Sequence, residues 1–395
     1  MAKVRLLELR NTYKWGGGPD KTILLSAERH DRSRVEVVIS YIRDARDRQF
    51  SIGEKARAKG LTFYEIEERG KFDLRVLSML KNIIIRHDIN LIHSHDYKTD
   101  LFAFLLRHYV RRPVKLLSTA HAWVMIGIRG EIYRYLDLRL MRRFDSLIAV
   151  SHATKEEMLQ AGIPSNLISA IHNGIDTQAW ARAAATGSIR DELKLGQAFP
   201  VVGYVGRIMP EKDLETWLRA AALLARNSPK AQFVLVGEGK DTAYLEKLKR
   251  LAVDLQIGSQ TYFPGYRSDL LPVYAAFDLF LLSSRREGLP NSILEAMAMG
   301  VPTVTTDVAG AKELVVDGAT GYVLPQGDAK GLADGLNAIA ANRALRQKMA
   351  EASRERVERE FSFDNRLRQV EALYERVLEL SRCVARSFSA VNVTR

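Results

Sequence analysis

Two acids lie close together in the stretch REGLPNSILEAM, which covers residues 286–297. Glu287 and Glu295 have seven residues between them, among them a glycine, a proline and an asparagine. The pattern predicts a loop that carries Glu287 and a helix, from about residue 291 to 299, that carries Glu295 and ends at a glycine. Because the neighbours of Glu295 are apolar, its carboxylate should be largely buried and should need a polar partner, such as a pair of ligand hydroxyl groups.

Two cations follow a strand-like run earlier in the chain. Arg207 and Lys212 stand in the stretch VGYVGRIMPEKD, residues 202–213, just after the predicted strand. Ligands of parallel sheets bind above the carboxyl ends of the strands, where these two side chains would lie. Arginine offers a fork to phosphate oxygens and lysine a point charge, so the pair favours an anion site. Ordinary solvated surface charge is the alternative.

A glycine-rich stretch, WGGGPDKT at residues 15–22, follows the first predicted strand and opens a helix. Gly17 and Gly18 would let a ligand approach the backbone closely, and a helix N-terminus favours an anion. The stretch matches neither the phosphate loop of nucleoside triphosphatases nor the dinucleotide fingerprint. A tight turn that binds no ligand is the alternative.

Short apolar strands alternate with helical segments along both halves of the chain. Helices of about 10–15 residues between consecutive strands favour parallel sheets that are covered on both faces. Two such runs predict an α/β protein with two doubly wound domains. The predicted strands are Val4–Leu9, Val35–Ser40, Leu91–His93, Lys115–Thr119, Leu147–Val150 and Ser169–His172 in the first run, and Val201–Val205, Phe233–Val236, Tyr262–Phe263, Leu279–Leu282 and Thr303–Thr305 in the second.

The domain boundaries follow from changes in composition. Residues 1–178 are predicted to form the first domain and residues 201–360 the second. Residues 179–200 begin with a run of small side chains and are predicted to be a linker. Residues 361–395 contain a long helical pattern with no strand after it, so we expect a C-terminal helix that packs back toward the first domain.

Composition limits the class of protein. The chain has 395 residues, of which 47% are hydrophobic, and a formal net charge of +12. Its single cysteine, Cys383, excludes an internal disulfide and is compatible with a cytoplasmic location. No signal peptide or transmembrane helix is expected from the sequence.

Positive charge is concentrated between Arg107 and Arg143, where nine basic residues are accompanied by two acids. Aromatic residues, including Trp123, are interleaved with them. This region is either a solvated basic face or a contact for an anionic surface, such as a bilayer leaflet, a lipid-linked phosphate or a nucleic acid. No recognisable nucleic-acid-binding module is present, so we expect no nucleic-acid partner.

Taken in order, the motifs resemble the retaining glycosyltransferases of family 4, also called glycosyl transferases group 1. The resemblance rests on Arg207 and Lys212 after a strand that ends in glycine, and on the pattern E-G-x-P-x-x-x-x-E-A-M-A-x-G-x-P that begins at Glu287. It implies the GT-B fold, in which two Rossmann-like, doubly wound parallel-sheet domains face a central cleft. The glycine loop departs from the family pattern, because the family commonly has Gly-Gly-small-Glu where this chain has Gly17-Gly18-Pro19-Asp20, and no role is assigned to Asp20. Four further motifs fit in order: VSHATKEEM (150–158), HNGID (172–176), VGEG (236–239) and FSFDN (361–365).

The resemblance also implies roles for single residues. Glu295 would bind the ribose hydroxyls of a nucleotide sugar, and Glu287 would contact the hydroxyls of its sugar. Arg207 and Lys212 would hold the diphosphate. His121, at the end of a predicted strand, matches the histidine that the family places near the sugar and the acceptor. Backbone amides would assist at Gly288, Leu289 and Asn291 for the sugar, and at Gly17 and Gly18 for the diphosphate; His93 and His95 are candidate residues on the acceptor side.

The implied reaction is a retaining transfer from a UDP- or GDP-sugar to a glycan or lipid-linked acceptor, such as an intermediate of lipopolysaccharide or exopolysaccharide. Glu287, His121, Arg207 and Lys212 are the candidate catalytic residues. No acidic cluster of the DxD type precedes the sugar site, so we expect an enzyme that needs no metal ion. We expect it in the cytoplasm, bound peripherally at the inner face of the membrane. An epimerase of nucleotide sugars with the same fold and no acceptor is the alternative. A nicotinamide dehydrogenase lacks its glycine fingerprint here.

Overall fold

The structure is a computed structural model that describes residues 3–70, 73–121, 127–185, 187–239 and 241–391. Trp123 lies outside the described residues. The chain divides into two compact units. The first unit contains Met1–His172 and Arg366–Arg395, and the second contains Asn173–Asn365.

The first unit is built on a seven-stranded sheet in which all neighbouring strands are parallel. Its strands are β1 (Val4–Asn11), β2 (Val35–Asp44), β3 (Phe63–Glu68), β4 (Leu91–Ser94), β5 (Lys115–Ala120), β6 (Ser146–Ala149) and β7 (Ile168–Ala170). They lie in the order β3-β2-β1-β4-β5-β6-β7, so the direction of winding reverses between β1 and β4.

Amphipathic helices cover this sheet. In the third of them Val76, Leu80 and Ile83 are buried, and their spacing of four and three residues forms one apolar stripe. The fourth begins where the Asp96 carboxylate accepts hydrogen bonds from the amides of two following residues. The helices are α1 (Gly18–Arg29), α2 (Ile52–Ala58), α3 (Arg75–Arg86), α4 (Tyr97–Tyr109), α5 (Gly127–Met141) and α6 (His152–Gln160).

The second unit repeats the plan with six parallel strands in the order β10-β9-β8-β11-β12-β13. The strands are β8 (Val201–Val205), β9 (Gln232–Val236), β10 (Thr261–Gly265), β11 (Leu279–Leu282), β12 (Thr303–Thr306) and β13 (Gly321–Leu324). Its helices are α7 (Ile189–Glu192), α8 (Leu214–Asn227), α9 (Thr242–Asp254), α10 (Leu271–Ala275), α11 (Asn291–Ala298), α12 (Ala311–Leu314), α13 (Ala329–Ala341) and α14 (Arg343–Glu360).

Each sheet has one point at which the strand order reverses, between β1 and β4 in the first unit and between β8 and β11 in the second. Connections leave the two neighbouring strands toward opposite faces of the sheet at such a point, and the crevice at their carboxyl ends is where open α/β sheets bind ligands. A ligand-binding site is therefore expected in the loops that follow these four strands.

Two edge strands were absent from the sequence prediction, β3 and β13. β3 has the sequence FYEIEE and β13 is only four residues long. A strand at the edge of a sheet has one neighbour instead of two, so its sequence needs fewer apolar residues than a central strand does.

Residues 179–200, predicted to be a linker, are part of the second unit. The Arg182 guanidinium donates to the Phe277 carbonyl at 2.9 Å, and Arg190 forms an ion pair with Asp278 at 2.7 Å. The small side chains of this stretch indicated a linker, and its two arginines attach it to the turn between α10 and β11.

The last helix, α15 (Phe363–Val391), belongs to the first unit from Arg366 onward. Its apolar side chains Val370, Leu373 and Val377 share a buried cluster with residues of β1, β4 and β5. Tyr374, on the same face of α15, is also fully buried. The C-terminal segment therefore completes the core on one face of the first sheet.

Candidate active site

Lys212 and Glu287 are paired in the second unit. The Lys212 ammonium lies 2.5 Å from Oε1 of Glu287, and both side chains are mostly buried. The Ser284 hydroxyl donates to the same carboxylate oxygen at 2.7 Å. Within the described part of the chain, Oε2 of Glu287 has no hydrogen-bond partner. The two residues predicted to bind different parts of a ligand thus contact each other directly.

The loop after β8 places Lys212. Asp213 adopts the left-handed backbone conformation, with φ of 47°, at the start of α8. The Ser283 hydroxyl donates to the carbonyls of Lys212 and Asp213, both at 2.9 Å. Arg285 adds an ion pair to the Asp213 carboxylate at 3.1 Å. Residues that follow β11 therefore fix the conformation of the loop that follows β8.

The loop after β11 places Glu287. Thr306, at the end of β12, donates to the Ser284 carbonyl at 2.6 Å. A Cβ on Gly310 would lie 1.9 Å from the Gly288 carbonyl oxygen, so the close approach of these two segments requires glycine at position 310. Gly288 and Leu289 are buried in this contact.

Asn291 is the first residue of α11. Its side-chain oxygen accepts a hydrogen bond from Asn173 at 2.9 Å. Asn173 belongs to the HNGID stretch, which the sequence comparison with the family had singled out without giving it a role. This bond ties the start of α11 to the first residue of the second unit.

Glu295 lies on α11 and is buried, as its apolar neighbours indicated. The Tyr274 hydroxyl donates to its Oε2 at 2.9 Å. Burial raises the pKa of Tyr274 well above its usual value, and the Glu295 charge raises it further, so the phenol stays protonated and remains a donor. A protein side chain thus supplies one of the polar contacts that the sequence argument had left to a ligand.

Tyr274→Phe tests this contact without reference to activity. Removing the hydroxyl leaves a buried carboxylate oxygen short of one donor, so the free energy of unfolding should fall by about 1–2 kcal/mol. Urea denaturation at neutral pH measures the change. Tyr322→Phe is the matched control, because within the described residues the Tyr322 hydroxyl makes no hydrogen bond. Equal stability of Tyr274→Phe and the wild type would contradict the assigned contact.

Arg207 follows β8 with its side chain exposed. Its backbone is fixed, because the buried Tyr204 donates to the Arg207 carbonyl at 2.8 Å. Among the described residues its guanidinium forms no ion pair. Of the two predicted cations, Arg207 could therefore bind an anion directly. Lys212 would first have to leave its ion pair with Glu287.

Gly17 and Gly18 begin α1 in the first unit, where Gly17 is the residue that caps the helix. The Gly17 amide donates to the Asp20 carboxylate at 2.6 Å, and Arg10 lies 3.6 Å from the same side chain. Asp20, which had no assigned role, is thus a capping residue that uses one of the two amides predicted to bind an anion.

His121 lies just after β5, beside a buried group of polar side chains from the middle of β1 and the carboxyl end of β4. His95 Nδ1 is 3.3 Å from His121 Nε2, and His95 Nε2 is 2.5 Å from Oε2 of Glu8. His93 bonds to the Tyr374 hydroxyl at 2.9 Å. The three predicted histidines are therefore brought together at the point where the first sheet reverses its order.

The pKa values of Glu8, His95 and His121 are strongly shifted. Burial lowers the pKa of His95 to about 3, and the neighbouring His93 adds to the effect. Withdrawal from water and the neighbouring His95 lower the pKa of His121 well below its usual value. Burial alone would raise the pKa of Glu8, but the interactions with His93 and His95 outweigh it and hold this pKa well below the usual value. Glu8 is thus a carboxylate next to the neutral imidazole of His95.

Glu8, His93 and His95 also offer three possible metal-ligand atoms within 4.8 Å of one another. Each of these side chains already makes hydrogen bonds inside the protein. His93 bonds to Tyr374 through one ring nitrogen and to Thr119 through the other. These hydrogen bonds explain why Glu8, His93 and His95 lie close together, without a metal ion.

Sequence reasoning missed Tyr274, Ser284, Glu8 and Tyr374. Only Glu8 carries a signal in the sequence, because it is an acid within the apolar strand LLEL. A strand with an acid at a core position needs a buried polar partner, and this sequence supplies one in His95. The other three look like ordinary residues of helices and loops until the chain is folded.

The fold and the site define a GT-B glycosyltransferase. The crystal structure of Anabaena HepE in complex with UDP and glucose matches 94% of this chain and 99% of its own, with a TM-score of 0.82 and 22% sequence identity. Residues 16–179 match the profile of Glycosyltransferase Family 4, and residues 186–356 match that of Glycosyl transferases group 1. The chain belongs to the family 4 glycosyltransferases, as its motifs predicted.

Two curated relatives extend over most of the chain. The alpha-maltose-1-phosphate synthase of Mycobacterium tuberculosis is 30% identical over 309 residues, which cover 72% of this chain and 79% of the relative. The UDP-Gal:alpha-D-GlcNAc-diphosphoundecaprenol alpha-1,3-galactosyltransferase of Escherichia coli is 24% identical over 311 residues, covering 76% and 79% respectively. Both are similar to this chain in sequence over most of its length.

Proposed function

We propose that this glycosyltransferase moves a hexose from a UDP- or GDP-sugar to a glycan or lipid-linked acceptor, with retention of the anomeric configuration. The observation that carries the proposal is the Lys212–Glu287 pair at the reversal point of the second sheet, with Ser284 on the same carboxylate. In this pair, Lys212 is a cation that can bind a phosphate, and Glu287 is a carboxylate that can accept hydrogen bonds from sugar hydroxyls. Arg207 supplies a second cation.

The charges suit the departure of a nucleoside diphosphate. When the bond between the anomeric carbon and the β-phosphate oxygen breaks, negative charge develops on the phosphate. Fixed donors aimed at such developing charge commonly supply the largest catalytic contribution. A bound diphosphate would draw Lys212 away from Glu287, and the released carboxylate would accept hydrogen bonds from the sugar. Binding of the two halves of the donor would thus be coupled through one ion pair.

The transfer step needs no protein nucleophile in this proposal. The acceptor hydroxyl attacks the anomeric carbon on the face from which the diphosphate leaves. Its oxygen forms the new bond to that carbon, and its proton passes to the departing phosphate oxygen. Arg207 and Lys212 stabilise charge and Glu287 orients the sugar. Glu295, held by Tyr274, binds the ribose hydroxyls, and His121 contacts the sugar or the acceptor.

UDP is the nucleotide that the comparisons favour. The Anabaena structure contains UDP and glucose, and the name of the Escherichia coli relative specifies UDP-Gal as donor and a diphosphoundecaprenol-linked sugar as acceptor. Both are consistent with a UDP-sugar donor and a lipid-linked acceptor for this chain.

A thermal-shift panel of UDP-, GDP- and ADP-sugars tests the donor. Selective stabilisation by one nucleotide, at ligand concentrations about 100-fold above its Kd, corresponds to about 2.7 kcal/mol and is readily measured. We expect UDP-sugars to stabilise the chain most. Stabilisation by no nucleotide sugar, or conversion of a nucleotide sugar to its epimer without an acceptor, would overturn the proposal.

Metal independence is a further expectation. Two cationic side chains at the diphosphate would replace a divalent ion, so transfer should continue at an unchanged rate in excess chelator. Activity is measured after dialysis against EDTA and again after addition of Mg²⁺ or Mn²⁺. A rate that is lost in EDTA and restored by either ion would refute the expectation.

The surface formed by α3, α4 and α5 is the candidate membrane contact. Among the described residues, none of the helices has the length and apolar character that crossing a bilayer requires. Of the fifteen exposed large apolar side chains among the described residues, ten lie on or beside these three helices: Leu74, Met79, Ile85, Tyr97, Leu105, Tyr109, Ile132, Tyr133, Tyr135 and Leu136. Such a concentration marks an interaction surface.

The charge of this surface is smaller than the sequence indicated. Four of the nine basic residues counted between Arg107 and Arg143 form ion pairs with acids: Arg107, Arg112, Lys115 and Arg134. Arg111, Arg139 and Arg143 remain exposed and form no ion pair within the described chain. Exposed arginines interleaved with aromatic and aliphatic side chains suit the headgroup region of an anionic leaflet. This surface is proposed to dock there peripherally.

Vesicle sedimentation tests the docking surface. Wild-type protein should bind vesicles that contain phosphatidylglycerol and should not bind vesicles of phosphatidylcholine alone. Arg139→Glu and Leu136→Ser should each weaken binding, the charge reversal by about 10-fold or more. Val253→Ser, which changes an exposed side chain on α9, is the matched control. Failure to bind anionic vesicles at low salt would sink this part of the proposal.

A further inference from the structure

The hydrogen-bond partners of His121 determine which of its nitrogens carries the proton. Oε2 of Glu8 is an acceptor, so the His95 nitrogen that lies 2.5 Å away, Nε2, must be the donor. His95 is neutral, because burial lowers its pKa to about 3, and its Nδ1 therefore carries a lone pair. His121 Nε2, at 3.3 Å from that lone pair, must then be an N–H donor.

The remaining nitrogen of His121 follows from the same reasoning. A neutral imidazole with a proton on Nε2 has a lone pair on Nδ1. Within the described chain, Nδ1 of His121 has no hydrogen-bond partner. The side chain is partly exposed, so this lone pair can accept a hydrogen bond from a hydroxyl group of a bound molecule.

We propose that Glu8 is a positioning residue that acts through His95: it fixes the Nε2–H tautomer of His121 and so makes Nδ1 an acceptor for a hydroxyl of the sugar or of its acceptor. The role of His121 Nδ1 toward a sugar or acceptor hydroxyl rests on the proposed glycosyl transfer, whereas the tautomer of His121 does not depend on it. The partner of a ring nitrogen commonly sets the tautomer of the other nitrogen in functional histidines.

The surroundings hold Glu8 in place. It is buried at the middle of β1, opposite His93 of β4 in the register of the sheet. The Tyr374 hydroxyl, from α15, lies 3.3 Å from the other carboxylate oxygen, Oε1. The C-terminal helix and the first strand of the chain thus meet at this carboxylate. His121 is one residue beyond the end of β5, and within the described residues its ring has one hydrogen bond to this network, the one to His95.

Glu8→Gln is the informative variant. The side-chain amide has nearly the same shape, but it can present either its oxygen or its NH₂ group to His95, so the proton positions of His95 and His121 are no longer fixed. We expect kcat for transfer to fall about 10- to 100-fold, as is common when the partner of a functional histidine is changed. The KM for the donor should change much less, because the donor contacts of the second unit are untouched.

Tyr374→Phe is the matched control. It removes a hydroxyl that contacts the same carboxylate on Oε1, in the same buried network, and leaves the Glu8–His95 bond in place. The tautomer of His121 in this variant should remain that of the wild type even if the stability of the protein falls, because the Glu8–His95 bond is kept. Adding Glu8→Gln to His121→Ala should cause no further loss of kcat, because Glu8 acts only through His121.

Nitrogen-15 NMR of the histidine-labelled full-length protein decides the tautomer without any substrate. Nitrogen-bound protons and lone pairs give well-separated shifts, and loss of signals in His121→Ala assigns the ring among the eight histidines of the chain. We expect Nε2–H at His121 in the wild type and in Tyr374→Phe, and a mixed or reversed tautomer in Glu8→Gln. Nδ1–H in the wild type would overturn the proposal.

The kinetic outcomes separate this proposal from the proposed function. If the wild type transfers sugar but Glu8→Gln keeps its kcat, or if the effects of Glu8→Gln and His121→Ala simply add, Glu8 is not a positioning residue although the transferase assignment stands. If the wild type transfers no sugar from any nucleotide donor, the proposed function fails. The NMR result then still decides whether Glu8 fixes the tautomer.

Discussion

Replacing Lys212 by alanine is expected to lower the rate of sugar transfer at least about 100-fold with the fold intact, the usual effect of removing one fixed donor to a developing negative charge. The ammonium is mostly buried, and within the described chain its acidic partner is Glu287, at 2.5 Å. A departing diphosphate carries more charge than that carboxylate, so the cation should be used most strongly in the transition state. Both kcat and kcat/KM should therefore fall together.

The control for this change is Lys249→Ala. Lys249 also forms an ion pair with a glutamate in the second unit, Glu246, but the pair lies exposed on α9. Its loss should leave transfer unchanged, and the thermal melts of both variants should match the wild type. Turnover by Lys212→Ala near the wild-type rate would contradict the catalytic role assigned to this lysine. A much lower melting temperature of the variant would indicate a structural role instead.

Glu287→Ala is expected to have an effect of the same size, at least about 100-fold, for a different reason. The variant loses the acceptor for sugar hydroxyls and leaves Ser284 without its carboxylate partner. Because Lys212 also loses its partner, the affinity for the diphosphate should be kept or should rise while kcat falls. The measurement is kcat together with the Kd of UDP by calorimetry.

Glu246→Ala is the matched control for the acid, since it removes the other member of the exposed pair on α9. The double variant Lys212→Ala/Glu287→Ala should be less impaired than the sum of the single effects, because the two residues interact directly. Wild-type kcat in Glu287→Ala, or strict additivity in the double variant, would contradict a role for the pair in catalysis.

Much of the fold was predictable because it depends on local patterns. β8 and β11 have the predicted bounds, and α11 runs from Asn291 to Ala298 beside the predicted 291–299. Their apolar runs, with glycine and proline at the ends, specify a strand or a helix whatever surrounds them. The family motifs around Arg207 and Glu287 also lie within single strand–loop–helix segments, so the sequence alone indicates the class, and the match to the family profile confirms it.

The sequence by itself therefore determined the two-unit α/β plan, the class of enzyme and the loops that carry the site. Only the tertiary structure decided which side chains meet: Lys212 with Glu287 across 75 positions, Glu295 with Tyr274 across 21, and Glu8 with His95 across 87. Propensity and periodicity report on neighbours within a few residues of each other. The order of strands in a parallel sheet is set by packing over the whole unit, and it brings distant loops to the same edge.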